Sequence, residues 1–174
     1  LSISVALGDF QVEGNQLTTL DVSNNTALTI LNCGNNQLTS LDVSNNTILE
    51  TLTFKDNNIT SIDVSTLTVL ESLRCHQNQL TTLNVSNNTL LTTLTCAGNQ
   101  ITSLDVSNNT ALTYLHIGGN THLGTTNLIT SLDVSNNTSL ETLYCGFNQL
   151  TSLDVSNNTA LTYLDCDGGS IITA

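Results

Sequence analysis

The sequence predicts a mainly β solenoid, in which one short unit of extended chain stacks repeatedly on copies of itself. The motif LTSLDVSNNTALT returns along the whole chain, and its Leu-Asp-Val core recurs at steps of 21, 21, 21, 21, 28 and 21 residues. A fixed period of this length is typical of solenoid proteins. Apolar and polar residues alternate in two short stretches of each period, and no helical 3.6-residue periodicity accompanies them. We therefore predict a single solenoid domain over residues 1–174 with about eight turns.

The repeat Leu28–Ile48 illustrates the local structure that we expect in every turn. Leu31 and Cys33 point inward and their neighbours outward, which predicts a short strand. The turn formers Gly34-Asn35-Asn36 follow and predict a bend. The alternation returns at Leu41-Asp42-Val43, which predicts a shorter extended segment on the opposite side of the turn.

The first eleven residues of this repeat, LTILNCGNNQL, fit the pattern LxxLxCxxNxL, and seven turns carry it. This pattern resembles the highly repeated segment of leucine-rich repeat proteins, here with 21-residue repeats of bacterial type that are similar to internalin-like surface proteins. The resemblance implies a right-handed solenoid with a concave parallel sheet of about eight strands and an irregular or extended convex side. It also implies that partners bind to the concave face.

Two columns of asparagine follow the two extended segments. Because a buried amide both donates and accepts hydrogen bonds, we expect each column to satisfy backbone groups that are left open at a bend. Leu67 interrupts the second column in the third turn. The first column is Asn15, Asn36, Asn57, Asn78, Asn99, Asn120 and Asn148, and the second is Asn25, Asn46, Asn88, Asn109, Asn137 and Asn158.

The single 28-residue step predicts an inserted loop at 121–127, just past a concave strand. Neither end of the chain carries a recognisable polar capping repeat. Solenoids need such caps to cover their apolar end faces, so we expect either that the chain is a piece of a longer protein or that its uncapped ends pair with another molecule, for example by end-to-end association.

The five cysteines share one repeat position with Phe54 and Ile117, which indicates an inward apolar slot. We expect buried free thiols, with disulfides between adjacent turns as the alternative. A zinc site needs ligands that converge from different directions, and a single file of cysteines does not supply them. The cysteines are Cys33, Cys75, Cys96, Cys145 and Cys166.

An aspartate column is the most regular charged feature of the sequence. Its carboxylates either accept hydrogen bonds from nearby hydroxyls and turn amides or hold calcium along the column. We favour the hydrogen-bonded interpretation and predict no metal and no cofactor. The column is Asp21, Asp42, Asp63, Asp105, Asp133 and Asp154.

A threonine column offers a third chemistry, because a regular threonine array on a solenoid resembles an ice-binding surface. Ice-binding surfaces usually carry Thr-x-Thr on a strand, whereas each threonine here is followed directly by Ser or Thr and stands beside the aspartate column. We therefore favour an ordinary extended surface, which β-branched threonine suits. The column is Thr18, Thr39, Thr60, Thr81, Thr102, Thr130 and Thr151.

The composition weighs against several function classes. The formal net charge is −12, so nucleic acid and anionic membrane surfaces would repel the chain, and no apolar run is long enough to insert into a membrane. The three histidines lie in different turns, and none stands with a nucleophile and a supporting acid. We therefore expect no enzymatic activity.

The outward positions around the first strand vary from turn to turn while the apolar, Asn and Asp positions barely change. We predict that this face binds a ligand through two patches, one basic and one aromatic, separated by a neutral turn with Thr93, Thr95 and Ala97. Glu50 and Glu71 lie in the same turns as the basic patch, so a structural ion-pair cluster is the alternative there. The aromatic patch is the favoured contact centre, because exposed aromatic side chains suit a contact surface and the insertion borders the same turns. The predicted ligand-binding residues are Lys55, Arg74, His76, Tyr114, His116, Tyr144, Phe147 and Tyr163.

These observations predict a non-enzymatic binding module of a secreted or surface-attached bacterial protein that recognises a protein or a glycan. The alternatives are a structural spacer, in which the stack only sets a distance, and an ice-binding protein that uses its threonine columns.

Overall fold

The computed structural model describes residues 7–119 and 125–168, which contain eight three-residue strands and no helix. Each strand holds one buried apolar residue between two outward-facing ones, except that the last strand is more exposed. The strands are β1 (Asp9–Gln11), β2 (Ile30–Asn32), β3 (Thr51–Thr53), β4 (Ser72–Arg74), β5 (Thr93–Thr95), β6 (Tyr114–His116), β7 (Thr142–Tyr144) and β8 (Tyr163–Asp165).

The eight strands form one parallel sheet in the order β1 to β8. Each residue pairs with the equivalent residue of the next repeat, as Leu31 does with Leu52. The 28-residue step keeps this register, because Leu115 pairs with Leu143. The predicted leucine-rich repeat solenoid, with a parallel sheet on one side and a helix-free convex side, is therefore confirmed.

The core is a column of apolar side chains that runs the length of the stack. Leu28, Leu31 and Val43 and most of their equivalents are buried. Leu164 of β8, the last described strand, is 40% exposed. Such burial contributes about 1.5–3 kcal/mol for each large aliphatic side chain.

The cysteine column lies in this core. Cys33, Cys75, Cys96 and Cys145 are buried free thiols, and Cys166 is partly exposed. Burial raises the pKa of the Cys96 thiol to about 12, so it stays protonated and packs as a small apolar group.

The convex side consists of an extended segment followed by two tight turns in each repeat. In the second repeat the Asn46 N–H donates to the Val43 carbonyl at 3.0 Å, and the Leu49 N–H donates to the Asn46 carbonyl at 3.0 Å. The preceding aspartate accepts a hydrogen bond from a turn amide, because the Ser44 N–H lies 2.9 Å from Asp42 Oδ1. This bond lowers the pKa of the Asp42 carboxyl and supports the hydrogen-bonded interpretation of the aspartate column.

The first asparagine column is a ladder that joins consecutive turns. Asn99 Oδ1 accepts a hydrogen bond from the Leu80 N–H of the previous turn at 3.0 Å. Asn99 Nδ2 lies 3.1 Å from the Cys75 carbonyl of that turn, and 3.0 and 3.3 Å from the Cys96 and Ala97 carbonyls of its own turn. One amide thus satisfies backbone groups on both sides of a turn boundary.

In the sixth turn Asn127 occupies the ladder position that we assigned to Asn120, so that assignment is wrong. Asn127 Oδ1 accepts from the Ile101 N–H at 3.0 Å, and Asn127 Nδ2 donates to the Cys96 and Ile117 carbonyls at 3.0 Å each. The insertion therefore precedes the ladder asparagine, and the predicted loop at 121–127 ends one residue too late. The described residues do not include the chain ends at 1–6 and 169–174, and they do not include Asn120 or residues 121–124 of the predicted loop.

The asparagines of the second column make fewer hydrogen bonds than those of the ladder. Asn109 Nδ2 donates to the Val85 and Asn88 carbonyls at 3.0 and 2.8 Å, whereas its Oδ1 has no hydrogen-bond partner in the described part of the chain. In the third turn Leu67 replaces this asparagine and preserves both convex turns.

We predict that Asn99→Leu destabilises the fold far more than Asn109→Leu. The first substitution leaves the buried Leu80 N–H without an acceptor and should lower the free energy of unfolding by about 2–4 kcal/mol. The second copies a change that the third turn already carries, and its cost should be smaller by at least about 1 kcal/mol. Urea denaturation followed by circular dichroism measures both, and equal losses would contradict the assigned roles of the two columns.

Candidate functional site

The outward side chains of the sheet stand in columns, because every strand pairs in register with the next. One column contains Arg74, Thr95, His116 and Tyr144 on β4 to β7. A second column, two residues earlier in each repeat, places Thr93 beside Tyr114. Side chains from separate repeats therefore meet on one face, as the sequence predicted.

Four rings on β6, β7 and β8 form what we call the aromatic cluster, with Tyr144 at its centre. The Tyr144 ring centroid lies 4.8 Å from that of His116, 5.8 Å from that of Tyr114 and 4.9 Å from that of Tyr163. The ring planes are tilted by 38 to 46°, an arrangement that aromatic pairs favour. Tyr163 is 48% exposed. The cluster thus presents a broad half-exposed apolar surface with three hydroxyl groups.

An open cavity of about 440 Å³ lies beside the aromatic cluster, and we call it the Arg74 cavity. The small Thr93 and Thr95 side chains of β5 line it together with longer side chains from β4 and β6. The expected separation of the basic and aromatic patches by this neutral turn is therefore wrong, because short side chains on β5 open a space that joins them. The lining residues are Arg74, His76, Thr93, Thr95, Tyr114 and His116.

Both histidines of the cavity are half-buried, and burial is the main cause of their lowered pKa values. His76 Nδ1 lies 3.2 Å from Thr95 Oγ1. The negative charge of Asp56 partly opposes the lowering at His76, and that of Asp165 does so at His116. The proximity of His76 also lowers the pKa of His116, since two imidazolium charges would repel each other.

Lys55 does not join the cavity. Its Nζ lies 3.0 Å from Glu13 Oε1, and this is the one ion pair within residues 7–119 and 125–168. Asn32 Nδ2 and Asn35 Nδ2 donate to the same carboxylate at 2.7 and 2.8 Å. We call these four residues the Glu13 clamp. Glu50 and Glu71, the alternative partners of the basic patch, do not pair with Lys55, because its long side chain reaches across the sheet to Glu13 instead.

Phe147 also lies apart from the aromatic cluster. It follows β7 in a left-handed backbone conformation, with φ at 56°, which costs about 1–2 kcal/mol for a residue of this type. The Phe147 ring covers Gly168, and a Cβ atom added at Gly168 would overlap this ring. A Cβ atom added at Gly119 would lie 2.7 Å from the Phe147 Cβ. Phe147 therefore closes the rim of the sheet.

We predict that the Glu13 clamp makes stability depend on acid. Hydrogen bonds from Asn32, Lys55 and Asn35 lower the pKa of Glu13 from 4.5 to about 2. A lowered carboxyl pKa contributes stability that is complete above the unfolded-state pKa and is lost as the pH falls through the folded-state pKa. The difference in unfolding free energy between the native chain and Glu13→Gln should be constant above about pH 5 and vanish near pH 2. Urea denaturation across this range measures it. A difference for Glu13→Gln that stayed flat across this range would contradict the clamp.

Comparison with known proteins agrees with the fold and with the repeat length. The functional domain of InlJ from Listeria monocytogenes, which includes a cysteine ladder, is 32% identical with a TM-score of 0.67 over 93% of this chain and 44% of that one. An internalin, InlF, from the same species is 25% identical with a TM-score of 0.66 over 88% of this chain and 52% of that one. YopM from Yersinia pestis, a leucine-rich effector protein, is 22% identical with a TM-score of 0.80 over 96% and 45% of the two chains.

The chain is a leucine-rich repeat protein with 21-residue repeats. Its repeats are similar to those of the internalins, and it spans about half the length of the three solved structures named above. A family profile described as the LVIVD repeat matches residues 10–33, and no curated protein sequence matches the chain. Within the described residues, no helix is long and apolar enough to cross a membrane.

Proposed function

We propose that the chain is a non-enzymatic binding module that holds a protein partner against the concave face of its sheet. The observation that carries this proposal is the aromatic cluster, in which Tyr144 contacts three other rings while the cluster stays open to solvent. Large rigid side chains that are already packed against one another lose little conformational entropy when a partner covers them. Clusters of this kind are where binding energy concentrates in protein interfaces.

The surroundings of the cluster support the same assignment. Leucine-rich repeat folds typically serve as protein-binding modules. The sheet displays its variable side chains on this face, with the Arg74 cavity at one side of the cluster and Asp165 at the other. The proposed setting is a secreted or surface-attached bacterial protein, by analogy with the internalins that the chain resembles.

Two rival functions use other parts of the molecule. A spacer would need only the stacked core, and its concave side chains would be free to change. An ice-binding protein would use the exposed threonine column, in which Thr39 is followed by the exposed Ser40 and stands three positions before the exposed Asp42. The aromatic cluster plays no part in either function.

We predict that Tyr144→Ala weakens binding of the protein partner by about 1–3 kcal/mol, because truncation removes the central ring of the contact surface. Thr51→Ala, at a half-buried outward position on β3, is the matched control and should change the affinity little. Biolayer interferometry with a partner isolated on the immobilised native chain measures both affinities. Thermal unfolding of each variant shows that the fold is retained.

Three results would contradict the proposal. Equal and negligible losses at Tyr114, Tyr144 and Tyr163 would move the site away from the cluster. Binding of a glycan array with no protein partner would replace the proposed class of ligand. Thermal hysteresis of freezing that depends on Thr39 but not on Tyr144 would favour ice binding.

A further inference from the structure

The Arg74 cavity contains a positive charge that the described part of the chain does not neutralise. Lys55 is held by Glu13, whereas Arg74 is exposed and forms no ion pair with the described residues. The chain has 14 acidic residues and two basic ones, so carboxylates that could pair with an arginine are abundant. Arg74 forms an ion pair with none of those in the described residues. An exposed guanidinium without a partner is available to a ligand.

All six side chains that line the cavity can donate hydrogen bonds, and none is acidic. Arg74 offers a planar fork of N–H groups, and the two histidines offer ring N–H groups. The hydroxyls of Thr93, Thr95 and Tyr114 complete the set. At about 440 Å³, the cavity has room for a carboxylate, sulfate or phosphate group together with the atoms that carry it. A lining of donors around one fixed positive charge is complementary to an oxyanion.

The contact between Thr95 and His76 adapts to either charge state of the imidazole. When His76 is neutral, the Thr95 hydroxyl can donate to Nδ1, and the remaining ring proton then lies on Nε2. When His76 is protonated, Nδ1–H can donate to the same hydroxyl, which turns to accept. The side chain therefore keeps its anchor on β5 when it takes up a proton.

We propose that the Arg74 cavity binds an oxyanion presented by the protein partner and that binding tightens as the pH falls, because His76 and His116 take up protons around the anion. This inference rests on the proposed function, since it assigns the chemistry of one part of the partner. Arg74 supplies the permanent charge and the bidentate contact. The two histidines supply charge that appears only when the anion is present or the solution is acidic.

The charged groups that face the histidines set the direction of the pH effect. Lys55 and Arg74 oppose protonation of His76 while Asp56 favours it, and His76 opposes protonation of His116 while Asp165 favours it. In the free protein, burial lowers the pKa of both rings, so they are largely neutral at neutral pH. A bound anion raises both pKa values, and linkage then requires the anion to bind more tightly at lower pH.

The test uses sulfate and acetate as probes and follows the imidazole and backbone signals of the full chain by NMR. Sodium chloride at matched ionic strength is the reference, since salt alone screens the charges around the histidines. The expected result is saturable binding of at least one probe, with an apparent dissociation constant about tenfold lower near pH 5.5 than near pH 8. The signals of His76, Thr95 and His116 should shift together. A response to acetate alone indicates a carboxylate of the partner, and a response to sulfate alone indicates a sulfated or phosphorylated group.

Two variants with the same change of charge separate site binding from general electrostatics. Arg74→Gln should weaken probe binding about tenfold or more, whereas Lys55→Gln, which removes the cation of the Glu13 clamp, should leave the affinity within about twofold. Unsaturable shifts from both probes, equal losses in the two variants, or affinity independent of pH would each overturn the inference. None of these results touches the effect of Tyr144→Ala on the partner, so failure of the cavity and failure of the proposed function are distinguishable.

Discussion

The asparagine ladder is the interaction on which the rest of the structure depends. A turn of 21 residues with only three in a strand leaves many backbone groups to be satisfied at its bends, and one buried amide serves both the turn before and its own. Because the Asn99 donors and acceptor are all committed, the register between turns cannot slip without breaking buried hydrogen bonds. The register in turn keeps the outward side chains in columns. The ladder therefore determines which side chains can meet on the concave face.

The sixth turn shows how strictly this constraint is kept. Seven extra residues enter there, yet Leu115 still pairs with Leu143 and Asn127 supplies the bonds that its counterparts supply. Thr125, two residues before this asparagine, lies at the edge of the sheet, where its Oγ1 donates to Gln77 Oε1 at 2.9 Å. Gln77, like Phe147, adopts a positive φ and lies over a glycine of the next repeat. Strain and close packing are thus concentrated at the rim, beside the proposed site.

Much of the fold could be predicted from the sequence because each structural role belongs to one residue type that recurs at a fixed position in the repeat. Leucine alternation predicted the strands, and the recurring asparagine predicted the ladder. The ladder position of the sixth turn was assigned to Asn120 in error, because a second asparagine, Asn127, stands seven residues later. The residue type alone does not show which of the two side-chain amides accepts from the Ile101 N–H. The site was less predictable, since it depends on side-chain reach. Lys55 extends to Glu13, and the short Thr95 lets Arg74 and His116 line one cavity.

Native-state hydrogen exchange tests the central role of the ladder most directly. The backbone amides that donate to ladder asparagines, those of Leu38, Ile59, Leu80, Ile101 and Ile129, should exchange as slowly as the strand amides. The exposed amides of Ser44 and Ser107, which donate to aspartates on the convex side, should exchange orders of magnitude faster. Ladder amides that exchanged as fast as these serine amides would contradict the account, because the turns would then be held in register by apolar packing alone.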